Sequence, residues 1–225
     1  MKYCKQFALL AAAVLMFTVP SAFADSMVSI DGSYAFASNG YGIPPYGGTL
    51  NGQAVQFYCV DFSHDISGGD SWNAVVTGIT NSVNYSSTYQ YADQLLNPLG
   101  PNAAAQTIYM EFAWLITQMQ KTSDQNAQAA DEWAIWSLSG GNDPYTGALS
   151  ASSLLGQAAT AVNSGYNGQG WEILTPDKGS YGQEFLVQTP EPSALLLLAI
   201  GLCGLFLLKR REGIAFSGVA ERIES

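Results

Sequence analysis

One stretch of the chain concentrates its reactive side chains. Cys59, Asp61, His64 and Asp65 fall within seven residues, and they include the single histidine. A thiol beside an imidazole can be an activated nucleophile. The same set of sulfur, nitrogen and carboxylate groups could also be drawn around a metal ion. Spacing argues against both. On an extended strand Cys59 and Asp61 share a face, while His64 lies at or past the strand end. A structural zinc site usually takes four sulfur or nitrogen ligands, and two are present here. A free cysteine is commonly a small buried apolar residue, and that is the expectation for Cys59.

Other chemistries leave little trace. The chain has no glycine-rich phosphate loop, no G-x-S-x-G elbow and no EF-hand loop. Glycoside hydrolysis needs two carboxyl groups that meet in space, and nothing singles out a pair. Trp114, Trp133 and Trp136 recur at helical spacings, so they are expected in the core rather than on a ligand platform. No catalytic residue, cofactor or metal is expected.

Charge narrows the partners. Between residues 25 and 189 there are 14 acidic residues and 2 basic ones, Lys121 and Lys178. A surface of that sign repels phosphate backbones, so nucleic acid is not an expected partner. Of the three cysteines, Cys4 lies in the first 24 residues and Cys203 in the apolar run near the C-terminal end. Cys59 alone remains between them, so no internal disulfide is expected there and the fold must hold by its core.

Several elements are expected to position these residues. Alternation over Val28 to Ala37 predicts a strand, with Ile30, Tyr34 and Phe36 facing inward. Asn39 to Gly52, rich in Gly and Pro, reads as a loop. Ala54 to Asp61 and Trp72 to Thr80 read as strands. Ile108, Phe112, Leu115, Ile116 and Met119 are spaced by threes and fours, which predicts a helix over Ala103 to Gln120 with Asn102 as its cap. A second helix is expected from Gln125 to Leu138, capped by Ser123 or Asp124 and ended by Gly140 and Gly141. A third is expected over Ala148 to Asn163. Trp171 to Thr175 and Gln183 to Gln188 read as closing strands. No internal repeat is visible. Strands, then helices, then strands predict an α+β class: an antiparallel β-rich domain with two or three inserted helices.

Three segments in order resemble a thioester domain, a module of bacterial surface proteins. They are Phe57-Tyr58-Cys59-Val60-Asp61, Ala113-Trp114-Leu115-Ile116-Thr117-Gln118 and Asp131-Glu132-Trp133-Ala134-Ile135-Trp136. The third aligns with that family's Thr-Gln-x-Ala-Ile-Trp helix. In active members, the resemblance implies, a Cys thiolate attacks the Gln carboxamide, ammonia leaves, and a buried thioester awaits an amine. Here Glu132 stands at the Gln position, and a carboxylate is a poor acyl donor. Gln128 lies one helical turn out of register. Cys59 and Glu132 are therefore expected as a degenerate pair: neighbours, with Cys59 on a strand and Glu132 on a helix, without a covalent bond.

The two ends carry different signals. Lys2 and Lys5 precede the apolar run Phe7 to Val19, Pro20 breaks it, and Ala22-Phe23-Ala24 fits a small-x-small cleavage site. Residues 1–24 thus read as a signal peptide, with the Sec translocon and signal peptidase as partners and cleavage after Ala24. At the other end Pro190, Glu191 and Pro192 precede 15 uncharged residues, 194–208, and then Lys209-Arg210-Arg211. As a helix that run spans about 23 Å, short of a hydrocarbon core of roughly 30 Å. The flanking basic side chains can snorkel to cover part of the difference. The basic cluster predicts that the preceding domain lies outside the cytoplasm.

Pro-Glu-Pro, a short apolar helix and a basic cluster together resemble the PEP-CTERM sorting signal of Gram-negative bacteria that make extracellular polysaccharide. The resemblance implies processing near the motif by an exosortase, a membrane-embedded cysteine protease or transpeptidase. Such tails usually end just past the basic cluster; here residues 212–225 follow it and read as a cytoplasmic tail. The expected organisation is a signal peptide (1–24), an extracytoplasmic thioester-domain-like domain (25–189), a sorting signal with a transmembrane helix (190–211) and that tail. The expected location is transient anchoring in the inner membrane, then the cell surface or beyond. The expected role is non-enzymatic, in envelope, biofilm or adhesion, with extracellular polysaccharide or surface proteins as partners. The alternative is a secreted carbohydrate-active enzyme of exopolysaccharide metabolism.

Overall fold

A computed structural model describes residues 26–79, 102–177 and 181–188. All of them belong to the first of two units, Met1–Gln188. Among the described residues six strands are followed by three helices and then by two more strands. The strands are β1 (Ser26–Ile30), β2 (Phe36–Ser38), β3 (Tyr41–Ile43), β4 (Tyr46–Leu50), β5 (Gln53–Cys59), β6 (Ser71–Gly78), β7 (Trp171–Pro176) and β8 (Phe185–Gln188). The helices are α1 (Asn102–Lys121), α2 (Gln125–Trp136) and α3 (Ala151–Asn163), all between β6 and β7.

Six strands close into an antiparallel barrel in the order β1-β4-β5-β8-β7-β6, and β2 and β3 form a separate hairpin. Closure removes the sheet edges that an open sheet would leave unpaired. The α+β expectation holds in this form, with three inserted helices.

Two expectations near the start are corrected. Val28 to Ala37 is not one strand: β1 ends at Ile30, and β2 resumes at Phe36. The turn between them is built by Asp31, whose carboxylate accepts from the Ser33 amide at 2.7 Å. Asn39 to Gly52 is not a plain loop but holds β3 and β4. Gly40 and Gly52, at φ +84° and +79°, make turns, whereas Gly42, Gly47 and Gly48 mark close packing. A Cβ on Gly48 would lie 2.1 Å from the Ser29 carbonyl oxygen, and one on Gly47 would lie 2.3 Å from Ser33 Oγ. A strand glycine at such a site lets another backbone approach.

Alternation divides the core in two. On β5, Phe57 and Cys59 join a cluster with Val28, Trp72, Leu174 and Phe185. The intervening Tyr58 joins the helix-side cluster with Tyr109, Phe112, Ile116 and Ile173. This is the two-residue period of strands between two layers. Helix α2 serves both clusters: Ala130, Ala134 and Ile135 pack with the helices, and Ala129, Trp133 and Trp136 pack with the barrel. Its start is set by Asp124, whose side chain accepts from the Asn126 amide. Beyond Trp136 a 3₁₀ turn leads to Gly140 at φ 104°. The third helix begins later than expected, at Ala151, because residues 147–149 wind as a 3₁₀ turn and Ser150 provides the cap.

Candidate functional site

Cys59 ends β5 and is 1% exposed. Its thiol donates to the Asp61 carbonyl oxygen at 3.2 Å. Burial pushes the thiol pKa well up, and the Glu132 charge adds to that. Glu132 lies on α2 and is fully buried, and neither of its carboxyl oxygens has a hydrogen-bond partner. Burial, and then the neighbouring Asp131, raise its pKa well above the ordinary carboxyl value. Asp131 is also buried, which lifts its pKa to about 7. Cys59 on a strand and Glu132 on a helix are thus both buried, and a charge on Glu132 holds the Cys59 thiol pKa up. A protonated thiol is a poor nucleophile, and an unactivated acid is a poor electrophile.

Around this buried region runs a second set of groups. Asp61, 1% exposed, pairs with His64 through Nδ1 at 2.7 Å and accepts from the Ser63 amide at 2.9 Å. Burial raises the Asp61 pKa, while His64 pulls it down. The imidazole is thus engaged by Asp61, and the Cys59 thiol by a backbone carbonyl; neither contact joins thiol to imidazole. Ser139 ties this loop to the end of α2, since its hydroxyl accepts from the Phe62 amide at 2.9 Å and donates to the Trp136 carbonyl at 3.2 Å. Gln183 holds the other side, its amide nitrogen donating to the carbonyl oxygens of Asp61 and His64. Among the described residues no group of three or more His, Cys, Asp and Glu side chains could hold a metal ion.

Glu184 is a functional-looking group that sequence reasoning missed. It is fully buried and accepts from the Tyr109 and Thr175 hydroxyls, each at 2.5 Å. Burial raises its pKa to about 7 against the pull of those two hydroxyls. In the sequence it precedes Phe185-Leu186-Val187, where a carboxylate reads as a solvated strand start. Only its partners, 9 and 75 residues away, reveal its burial.

A cleft of about 230 Å³ opens beside this region. One wall comes from the β2–β3 hairpin and the turn before it, with Tyr34 and Tyr41. The other comes from the segment after β5, with Phe62 and Asp65. Tyr46 and Trp136 also line it. Tyr46 belongs to both places, for burial and then the charges of Cys59 and Glu132 raise its hydroxyl pKa. Its hydroxyl donates to the Gly42 carbonyl at 2.6 Å. Trp133 and Trp136 lie in the core as their spacing predicted, 4% and 3% exposed, while Trp114 packs half-buried against the helix cluster.

The remaining expected sites, Ala22, Ala24, Pro190, Glu191 and Pro192, lie outside the described residues. Among the described residues no helix is long and apolar enough to cross a membrane. Comparison with known families decides the C-terminal end: residues 188–211 match the PEP-CTERM protein-sorting motif. The chain is an exosortase-sorted exported protein. The PEP-CTERM motif further implies transient membrane anchoring before exosortase processing. No curated protein and no solved structure matches the chain.

Proposed function

We propose that this PEP-CTERM protein is a non-enzymatic component of the cell surface or extracellular matrix, acting in envelope, biofilm or adhesion. Its domain is a thioester-domain-like scaffold that has lost its acyl donor. The observation that carries the reading is the sorting motif at residues 188–211, which commits the domain to export. The scaffold assignment draws support from Cys59 on a strand and Glu132 on a helix, both buried, with the Glu132 charge acting on the Cys59 thiol. A scaffold with this pair keeps the shape of a reactive module and offers its surface, not its thiol, to partners. The enzymatic alternative needs two carboxyl groups across an open cleft. Among the described lining residues the cleft carries one, Asp65.

The test is a triple substitution of Pro190, Glu191 and Pro192 by Ala in the producing host. It leaves the apolar run intact. The full-length form should accumulate in the membrane fraction, and the processed form should vanish from the surface fraction. Unchanged processing and location would reduce the segment to a simple anchor and remove the basis of the proposal.

A further inference from the structure

The cleft lies at the edge of the barrel-side core, which supplies Trp136 and the rings of Tyr46 and Phe62 packed against it. Five of its lining residues are aromatic: Tyr34, Tyr41, Tyr46, Phe62 and Trp136. Two of them are left in solvent, Tyr34 at 51% and Tyr41 at 44% exposed, although the chain has closed its barrel and buried most other large rings. The Tyr41 ring is held in place all the same. Its centroid lies 5.1 Å from that of Phe62, 5.4 Å from Trp133 and 6.0 Å from Trp136. The exposed ring is thus a fixed platform, not a loose side chain.

The walls are pinned by glycine. A Cβ on Gly32, at φ +88°, would lie 2.9 Å from Gly68 Cα, so the two sides of the cleft meet backbone to backbone. A Cβ on Gly42 would lie 2.9 Å from Tyr34 Cγ, so that ring rests on bare backbone. Only glycine permits either approach.

Charge selects the ligand. Asp65 lies in the wall, no Lys or Arg does, and Lys121 is the one Lys or Arg among the described residues. The whole segment is strongly acidic, and such a field repels anions and concentrates cations. Aromatic faces carry a negative quadrupole and attract cations within about 6 Å of the ring centre. A primary ammonium brings three donors that each need an acceptor; beside Asp65 the wall offers neutral side chains, Ser67, Gln183 and the tyrosine hydroxyls, of which the Gln183 amide nitrogen and the Tyr46 hydroxyl are already engaged. A cation without donors meets no such cost. The volume, about 230 Å³, falls below the roughly 300–1,000 Å³ of pockets that enclose drug-sized molecules, and it suits a single compact head group.

From these observations we infer that the cleft formed by Tyr34, Tyr41, Tyr46, Phe62, Trp136 and Asp65 is a binding site for a small quaternary ammonium group of the choline type. The rings supply the cation–π cage and Asp65 the counter-charge. This inference does not depend on sorting or on the state of Cys59.

The test is titration of the full chain in a polyoxyethylene-ether detergent, which carries neither a sugar nor an ammonium head. Tetramethylammonium and choline are followed by saturation transfer to their methyl protons. Both should bind saturably and compete. The uncharged isostere of choline, 3,3-dimethylbutan-1-ol, should bind about tenfold more weakly, as expected for loss of cation–π attraction. Tyr41→Phe should retain binding, Tyr41→Ala should weaken it by about tenfold, and Asp65→Asn should weaken it several-fold. Both positions are on the wall, so the fold is checked in parallel by near-ultraviolet circular dichroism. Equal binding of the isostere overturns the inference, as does an effect of Tyr41→Phe equal to that of Tyr41→Ala. Binding of glucose or a proline-rich peptide in place of tetramethylammonium overturns it too, and makes the cleft a saccharide or peptide site.

Discussion

Glu184 and Glu132 are both fully buried carboxyl groups in one domain, yet the protein treats them differently. Glu184 receives two hydroxyl donors, from Tyr109 on α1 and Thr175 on β7. Its own backbone carbonyl accepts from the Val60 amide at 3.1 Å. It therefore links the helical layer to the barrel through satisfied polar bonds. Glu132 has nothing comparable, since both oxygens are orphaned. A buried polar group without a partner costs on the order of 1–3 kcal/mol. The first glutamate is satisfied where it lies; the second is buried without a partner. In the proposed scaffold that position belongs to an amide whose carbon faces Cys59.

The contrast is tested most strongly by removing each carboxyl. Glu184→Leu strands the Tyr109 and Thr175 hydroxyls in the core and should cost about 3 kcal/mol. For a domain of this size that lowers the melting temperature by roughly 10 °C. Glu132→Leu removes an unsatisfied group and keeps most of its volume. It should be neutral or stabilise by about 1 kcal/mol. Thermal unfolding of both variants reads the difference. If Glu132→Leu falls as far as Glu184→Leu, Glu132 has a partner of its own and the contrast fails.

A smaller effect follows from pH. Glu184 and Asp131 have pKa values of about 7 in the folded protein, both raised by burial, against ordinary values near 4 in the unfolded chain. In the window between, the folded state holds protons that the unfolded state has released. Stability should therefore be highest below pH 4, fall as pH rises toward 7, and level off above it. Melting at pH 4.5 should exceed melting at pH 7.5 by the equivalent of about 2 kcal/mol after allowance for local relaxation. Glu184→Gln should flatten part of that slope. A melting temperature that rises from pH 4.5 to 7.5 would mean that these carboxyls are ionised in the folded state.

Much of this was open to sequence reading, and the exceptions have physical causes. The helices were legible because Ile108, Phe112, Leu115 and Met119 keep one face through most of α1. The core position of Trp133 and Trp136 followed from the same periodicity. Strands β3 and β4 were hidden because their glycines carry the composition of a loop; Gly47 makes room for the Ser33 and Asp31 side chains and Gly48 for the Ser29 backbone, and contact of that kind leaves no local mark. Barrel closure was hidden for a related reason, since β5 pairs with β8 across more than 120 residues, Phe57 opposite Val187. The Asp61–His64 pair lies in one short segment, but its burial depends on Gln183 and Ser139, which are distant in sequence. The cleft could not be read at all, for its walls come from both sides of β4 and β5 and from the end of α2.

The finest test of the contrast is covalent and scarcely touches stability. If the domain is a thioester-domain scaffold, only the carboxyl of Glu132 keeps it silent. The unmodified domain should then show its full mass, with no loss of ammonia or water, and take up no methylamine. Glu132→Gln restores the missing amide. In that variant the Cys59 sulfur can attack the Gln carbonyl carbon, forming the S–C bond as the C–N bond breaks, and the thiol proton leaves with the amine as ammonia. Intact mass spectrometry should find a minor fraction lighter by one ammonia, and that fraction should take up methylamine. The fraction is expected to be minor for two reasons. Burial keeps the Cys59 thiol protonated, although exchanging Glu132 for an amide removes one of the charges that raise it. Acyl transfer is also sensitive to misplacement on the order of 1 Å, and a site freed from selection for reaction has no reason to hold that tolerance. Cys59→Ala in the same background must abolish both signals. A crosslink already present in the unmodified domain would overturn the inactive reading of the pair. A Glu132→Gln domain that folds normally and never loses ammonia would leave Glu132 a buried carboxyl with no link to thioester chemistry.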